Sequence, residues 1–350
     1  LYTVFAKVGG EKFTAFLVER TWPGVSPGAE EKKMGLKGSS TTAVYFDNVK
    51  VPVENVLGEI GRGHIIAFNI LNIGRLNLGV SAHGACRQTL ADAIRYAKER
   101  RAFGKAIAEF GLIQHKLAEM AIRMYVNESM AYRVTGHIQE RMEAGQPMLK
   151  AVEEFAAECS FIKIFGSETL DYVVDEAVQI HGGYGYHQDY AVERAYRDSR
   201  INRIFEGTNE INRLLATGML LKRVKKGVLP LFDGPDSLPG FLLKTALQKY
   251  GDSLEEQQEV VAGITDVLMN TFAMQSAALR AKKCNRENAL DMAAVFAAEA
   301  TDAIETSART VLAACLDGDA PQRPARKPVN TISLRRKIAA RLIQSGRYVV

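Results

Sequence analysis

The chain has 350 residues, of which 47% are hydrophobic and 24% are charged, a composition that excludes a disordered or fibrous protein. Its 45 basic and 40 acidic side chains leave a net charge of +5, which is too small and too mixed to indicate a nucleic-acid partner. Two or three globular domains and a small anionic ligand fit these numbers.

Residues 1–58 alternate apolar and polar side chains and are rich in β-branched and aromatic residues, which predicts a small unit of antiparallel strands. Strand-like runs begin at Tyr2, Thr14 and Thr42, and glycine-containing turns separate them. Because the chain opens at Leu1, inside a strand-like run, we expect it to be a piece of a longer protein.

After residue 63 the period of the apolar residues changes to about 3.6, which predicts amphipathic helices. One apolar stripe consists of Cys86, Leu90, Ile94 and Ala97. Long helices with short breaks indicate an antiparallel four-helix bundle over residues 59–227. No apolar run approaches the length of a membrane-spanning helix, and the cysteines have no CxxC spacing, so we expect a soluble intracellular protein with buried thiols.

A linker rich in proline and glycine is predicted at residues 228–240, and a further helical domain over residues 241–350. Within it, two Ala-rich helices at 254–281 and 289–316 precede a basic helix at 333–345. The predicted fold class is therefore α+β and mainly α, with a small antiparallel β unit, a four-helix bundle and a C-terminal helical domain.

The C-terminal helices have two interpretations. An amphipathic helix most often packs against a neighbouring helix. Alternatively, this region makes a peripheral contact with an anionic membrane through four basic side chains, Arg335, Arg336, Lys337 and Arg341.

Glu206 lies in the segment IFEGTNE, residues 204–210, just before a predicted helix. Gly207 permits a close approach of the backbone, and Thr208 and Asn209 are residue types that cap helices. Taken alone, Glu206 has an ordinary structural explanation, because a helix N-terminus favours negative charge.

Two further segments have both a structural and a functional interpretation. The segment QIHGGYGY, residues 179–186, fits a helix C-cap, but its three glycines exceed what one cap needs and would let a phosphate or a flat ring approach the backbone. The segment ERRAFGK, residues 99–105, fits a basic helix C-terminus, and arginine beside an aromatic residue also suits a pyrophosphate and a stacking ring.

These three segments, in this order, resemble the acyl-CoA dehydrogenase family, and the similarity runs from about residue 33 to residue 213. The resemblance implies that residues 1–58 are the C-terminal part of a middle β domain, a partial antiparallel β-barrel domain. The segments at 110–114 and 128–132 and the Glu206 segment are most similar to the very-long-chain subgroup. The resemblance implies FAD-dependent conversion of long- or very-long-chain acyl-CoA thioesters to trans-2-enoyl-CoA in fatty acid β-oxidation, with an electron-transfer flavoprotein as oxidant.

The resemblance also implies roles for individual residues. Arg100 and Phe103 would reach the FAD of a neighbouring subunit, so we expect a homo-oligomer, either a dimer or a tetramer. Glu206 would be the catalytic base, because the base position used in other branches of the family is occupied here by Gly74. FAD-binding residues would be Arg100, Phe103, Phe110, Gly111, Gln179, Gly183, Thr208 and Glu210, and substrate-binding residues would be Asn72, Arg75 and Gly207.

The implied chemistry explains why a glutamate is needed. The α proton of a thioester is weakly acidic, so its removal requires a carboxylate in a dry, apolar site and donors directed at the carbonyl oxygen. Hydride would then leave the β carbon for flavin N5. In the family, the backbone N–H of the catalytic glutamate is one of the carbonyl donors, which would give Glu206 both tasks.

Two other functions remain open. An acyl-CoA oxidase would share the base and the flavin but would be reoxidised rapidly by oxygen. A non-catalytic assembly or scaffold protein could have the same fold, although the retention of Glu206, Arg100, Gln179 and the glycine turn argues against loss of catalysis.

We expect no metal site, because the histidines have no paired spacing with cysteines or carboxylates. The resemblance implies a cytoplasmic location in a bacterium, and the mitochondrial matrix or inner membrane in a eukaryote.

Overall fold

The computed structural model describes residues 1–225, 237–316 and 329–350. The chain divides into two compact units, Leu1–Gly74 and Arg75–Val350. Strands make up most of the regular structure of the first unit, and helices make up most of the second.

The first unit consists mainly of antiparallel strands. β1 (Tyr2–Val8) and β2 (Lys12–Val18) form a hairpin across Gly9 and Gly10, whose φ angles of 61° and 80° suit glycine. β5 pairs with β2, whereas β3 and β4 pair in a separate sheet. The antiparallel strands are confirmed, but a barrel is not, because the described strands lie in separate sheets. Their bounds are β1 (Tyr2–Val8), β2 (Lys12–Val18), β3 (Val25–Glu30), β4 (Thr42–Phe46) and β5 (Val56–Leu57).

The long helix α1 (Gly63–Glu99) begins in the first unit and ends in the second. Its predicted stripe, from Cys86 to Ala97, is fully buried. An 18-residue window of α1 has a mean hydropathy of 1.3, so length and composition alone would let it cross a membrane, contrary to the sequence expectation. A single such helix is weak support for a membrane span, since core helices of soluble proteins pass the same test.

The helix α4 (Ala156–His181) is central among the helices that follow α1. It contacts α2 (Gly111–Glu143), α5 (Ala191–Ser199) and α6 (Asn209–Lys225). α1 meets α4 at Gly79, where a Cβ atom would lie 2.3 Å from Cγ2 of Ile162. The amide of Asn127 on α2 donates to the carbonyl oxygen of Gly79 at 3.0 Å, so three helices are joined at one crossing. The helices are α2 (Gly111–Glu143), α3 (Met148–Glu154), α4 (Ala156–His181), α5 (Ala191–Ser199) and α6 (Asn209–Lys225).

The C-terminal part of the chain is also helical. α8 (Gln258–Cys284) packs against α9 (Glu287–Cys315), and α8 additionally contacts α2 and α6. α7 begins at Leu238, inside the predicted linker, and residues 228–236 of that linker lie outside the described part of the chain. Pro239 in the first turn of α7 removes an N–H that would have no helical acceptor. The helices are α7 (Leu238–Tyr250), α8 (Gln258–Cys284), α9 (Glu287–Cys315) and α10 (Thr331–Ser345).

The basic helix α10 packs against α2 and α9. Arg335 is buried, and its guanidinium pairs with Glu119 at 2.9 Å and with Glu299. Arg341 pairs with two acidic residues of α9, at 2.8 and 2.6 Å. Both arginines are engaged within the fold, so the packing interpretation fits this helix and the membrane interpretation loses two of its four cations.

Candidate active site

Glu206 lies in the loop between α5 and α6. Its φ angle is 59°, in the left-handed region that residues other than glycine rarely adopt, and that of Gly207 is 81°. The Oε2 atom of Glu206 is buried and has no hydrogen-bond partner within the described ranges. A strained backbone and an unsatisfied buried acceptor both oppose folding, and their coincidence is typical of a functional site.

The backbone carbonyl groups of the Glu206 loop (residues 206–208) are held by one buried amide. Nδ2 of Asn212 donates to these three carbonyl oxygens, at 3.2, 2.8 and 3.0 Å in chain order. The side chain of Asn212 has no exposed surface. The loop is therefore fixed by its own helix, α6, on which Asn212 lies.

Two buried cations hold the same loop from other helices. Nζ of Lys163, on α4, donates to the carbonyl oxygen of Gly207 and to Oδ1 of Asn209, each at 2.7 Å. Nε of Arg75, on α1, donates to the carbonyl oxygen of Glu206 at 3.3 Å. Burial and the charge of Arg75 lower the pKa of Lys163 to about 8, while nearby glutamates raise it.

The start of α6 explains two further predicted residues. Oγ1 of Thr208 accepts a hydrogen bond from the backbone N–H of Ile211 at 3.2 Å, so Thr208 caps the helix. The side chain of Glu210 is exposed, and its own backbone N–H, followed by the Thr208 hydroxyl, lowers its pKa. Both residues follow Glu206 within one helical turn of chain.

Polar contacts continue from α6 to the C-terminal helices. The guanidinium of Arg213 pairs with Glu168 of α4 and with Asp266 of α8, each at 2.8 Å. Thr265 donates to the carbonyl oxygen of Arg213 at 2.6 Å. α4, α6 and α8 are therefore linked a short distance along the chain from the Glu206 loop.

The glycine turn follows α4, which ends at His181 within the segment predicted to end a helix. Gly182 has a φ angle of 60°, and a Cβ atom at Gly185 would lie 2.4 Å from the carbonyl oxygen of Val178, so the backbone requires glycine at both positions. Among the residues that the structure describes, apart from its own chain neighbours, none has a heavy atom within 4 Å of the Cβ position of Gly183, which therefore presents open backbone.

A surface pocket of about 450 Å³ lies beside this turn. Arg100 lines it, and the guanidinium carbon of Arg100 lies 5.8 Å from the centroid of the Tyr184 ring. The rings of Tyr96 and His181 stack at 4.1 Å and form another wall. A cation next to open backbone suits a phosphate group, and the aromatic surfaces suit a flat ring.

The segment after Arg100 forms a small hairpin, β6 (Arg101–Ala102) and β7 (Lys105–Ala106). Phe103 and Gly104 at its tip have φ angles of 52° and 86°, as in a type I′ turn. The Phe103 side chain is 95% exposed and contacts the Phe110 ring edge-on at 6.2 Å. Phe103 buries almost no surface against the described residues of its own chain, so its side chain is accessible to another molecule.

The predicted site residues fall into three groups. Glu206, Gly207 and Thr208 lie in the loop before α6, Glu210 lies in the first turn of α6, and Arg75 on α1 donates to the carbonyl oxygen of Glu206. Arg100 and Gly183 share the pocket, and Phe103, Phe110 and Gly111 share the hairpin and the start of α2.

Two of the predicted residues, Asn72 and Gln179, lie outside these groups. Asn72 is buried in the part of α1 that belongs to the first unit, and Gln179 is exposed near the end of α4 and does not line the pocket. Lys163 and Asn212 were missed, because a single polar residue in a helical pattern gives no signal until the fold buries it. Among the residues that the structure describes, no cluster of three or more His, Cys, Asp or Glu side chains could hold a metal ion.

Comparison with known proteins identifies the class. Two family models, both described as acyl-CoA dehydrogenase, C-terminal domain, match residues 61–220 and 241–324. A probable acyl-CoA dehydrogenase of Bacillus subtilis (strain 168) is 44% identical over an alignment of 403 positions, which covers 100% of this chain and 68% of the relative. These matches define an oxidoreductase that uses a flavin. The chain belongs to the acyl-CoA dehydrogenase family, as the resemblance of its motifs predicted.

Other relatives match over different shares of their length. The very long-chain specific acyl-CoA dehydrogenase of Rattus norvegicus is 47% identical over 223 residues, covering 61% of this chain and 32% of the relative. Subunit CarC of the caffeyl-CoA reductase-Etf complex of Acetobacterium woodii is 38% identical over 224 residues, covering 63% and 56%. The crystal structure of an acyl-CoA dehydrogenase complexed with FAD from Bacillus anthracis superposes with a TM-score of 0.95 at 42% identity, over 99% of this chain and 68% of that one.

Proposed function

We propose that this chain carries the catalytic base and part of the flavin site of an acyl-CoA dehydrogenase, which converts long- or very-long-chain acyl-CoA to trans-2-enoyl-CoA in fatty acid β-oxidation. The observation that carries the proposal is the buried Oε2 atom of Glu206, which has no donor in the described part of the chain although the carbonyl groups of its loop are all hydrogen-bonded. The similarity to the rat very-long-chain enzyme supports the class of substrate.

Glu206 would act as the base that removes the α proton. Proton transfer needs an acceptor that is held at a fixed position within hydrogen-bond reach of the carbon acid. The bonds from Asn212, Lys163 and Arg75 fix the backbone of the loop and leave Oε2 available as an acceptor. The backbone N–H of Glu206 is proposed as a donor to the thioester carbonyl, and Arg75 as a contact of the CoA part of the substrate.

The residues present fit FAD. The Arg100 guanidinium and the open backbone at Gly183 suit its pyrophosphate, and the aromatic walls of the pocket suit a ring. When bound, FAD would supply the two-electron acceptor for the hydride that leaves the β carbon. The further residues proposed to hold it are Phe103, Phe110, Gly111, Gln179, Thr208 and Glu210.

The exposed tip of the hairpin supports a homo-oligomer. Phe103 is 95% exposed, and a neighbouring subunit whose flavin site it enters would cover it. An electron-transfer flavoprotein is the proposed oxidant, because the name of one relative places that protein in a complex with Etf.

The test uses the flavin-loaded protein under anaerobic conditions. We expect acyl-CoA thioesters of graded chain length to bleach the flavin absorbance, with the fastest bleaching by long chains. Failure of every acyl-CoA to bleach the flavin would contradict the proposed reaction. Oxygen is then admitted: slow reoxidation supports a dehydrogenase, whereas rapid reoxidation identifies an oxidase.

A further inference from the structure

Lys163 joins the Glu206 loop to α4. Its side chain has no exposed surface, and its ammonium group donates to the carbonyl oxygen of Gly207 and to Oδ1 of Asn209, each at 2.7 Å. Both acceptors are neutral. An apolar side chain would fill the same space without desolvating a charge, so packing alone does not explain a lysine here.

The loop that Lys163 contacts has an unfavourable backbone conformation. The φ angles of 59° at Glu206 and 81° at Gly207 persist only where surrounding bonds enforce them. The carbonyl oxygen of Gly207 accepts one bond from Asn212 on α6 and a second from Lys163 on α4. Lys163 therefore ties this loop to a helix that is distant in sequence.

The charges around Lys163 come from several elements. Burial has the largest effect and lowers the pKa of Lys163, and the charge of Arg75 on α1 lowers it further. Glu210 on α6, Glu168 on α4 and Glu206 in the loop raise it. Below pH 8 the ammonium form predominates, and an ammonium donates stronger hydrogen bonds than a neutral amine.

We propose that Lys163 is a positioning residue for the reaction: it fixes the Glu206 loop against α4 and so holds the Glu206 carboxylate in place, without touching the substrate. The inference rests on the proposed function, because it assumes that Glu206 is the base. Lys163 on α4 thus joins Arg75 and Asn212 among the side chains that hold the loop in position.

The first test measures the loop without substrate. Hydrogen exchange, followed by mass spectrometry of peptides that cover residues 204–212, compares the wild type with Lys163→Met and Lys163→Gln. We expect exchange in this segment to accelerate on the order of tenfold in Lys163→Met, and less in Lys163→Gln, which keeps a donor. Unchanged exchange in folded variants would overturn the proposal.

Lys116→Met is the matched control. Lys116 on α2 pairs with Glu176 on α4, so this variant also removes a lysine that contacts α4, but away from the loop. We expect no change of exchange at residues 204–212 in this control. If it accelerates exchange there as much as Lys163→Met does, the effect is general destabilisation and the proposal fails.

The second test separates placement of the base from binding of the substrate. We expect kcat for flavin reduction to fall about 10- to 100-fold in Lys163→Met, with little change in KM, because a small displacement of a catalytic group slows the reaction strongly. A raised KM with unchanged kcat would overturn the inference. The exchange experiment needs no reaction, so it still decides the role of Lys163 if no acyl-CoA reduces the wild-type flavin.

Discussion

At position 206, we expect the glycine variant of the protein to be more stable than the alanine variant. The φ angle of 59° is left-handed, which costs an L-residue about 1–2 kcal/mol. Glycine avoids this strain but loses about 0.5–1 kcal/mol through its greater freedom in the unfolded chain. Both Glu206→Ala and Glu206→Gly remove the carboxylate, so their difference isolates the backbone, and we expect Glu206→Gly to be more stable by about 0.5–1 kcal/mol.

Urea unfolding followed by circular dichroism measures this difference as a shift of the midpoint at constant slope. Glu210 provides the control, because it lies in the first turn of α6, outside the set of positive φ angles, and is exposed. There we expect the opposite order, with Glu210→Ala more stable than Glu210→Gly. If Glu206→Gly is less stable than Glu206→Ala, the left-handed conformation of the base does not exist in solution and the reasoning is refuted.

Two further predictions concern other parts of the molecule. Arg335→Met should lower the free energy of unfolding by about 2 kcal/mol, because Glu119 then keeps only the partly exposed Arg123 at 2.9 Å and Glu299 loses its ion pair with Arg335. The exposed neighbour Arg336→Met should change it by less than about 0.5 kcal/mol. Thermal unfolding that ranks the two variants equally would contradict this prediction. Phe103→Ala should leave stability within about 0.5 kcal/mol but weaken FAD binding in an absorbance titration of the apoprotein, and unchanged binding would count against its role at a neighbouring subunit's flavin.

The helices could be predicted because their apolar stripes have a clear period. Cys86, Leu90, Ile94 and Ala97 are all fully buried, as their spacing indicated. The hairpin at the N-terminus was equally readable, because paired glycines separate two alternating runs. The first and last residues of the C-terminal helices were predicted less accurately. α7 starts inside the predicted linker, because a proline in the first turn of a helix is difficult to distinguish from a loop proline in the sequence.

The site could be predicted only in part. The motifs indicated Glu206, but nothing in the residue type of a glutamate indicates a left-handed φ angle. Lys163 lies 44 residues before Gly207, and only the packing of α4 against α6 brings the two together. Similarly, the sequence showed four basic residues in the predicted basic helix but not which of them contact α2 and α9. Arg335 was assigned to a membrane surface as one alternative and is buried in ion pairs instead.

The most direct test of the central claim is the rate of flavin reduction in Glu206→Gln, measured by rapid mixing with a saturating long-chain acyl-CoA. Glutamine keeps the size and the backbone of the residue but cannot accept the α proton. We expect the rate to fall about 10²–10⁴-fold while the acyl-CoA still binds, and we expect the exposed control Glu153→Gln to behave as the wild type. Flavin reduction by Glu206→Gln at the wild-type rate would show that another group removes the proton and would contradict the account.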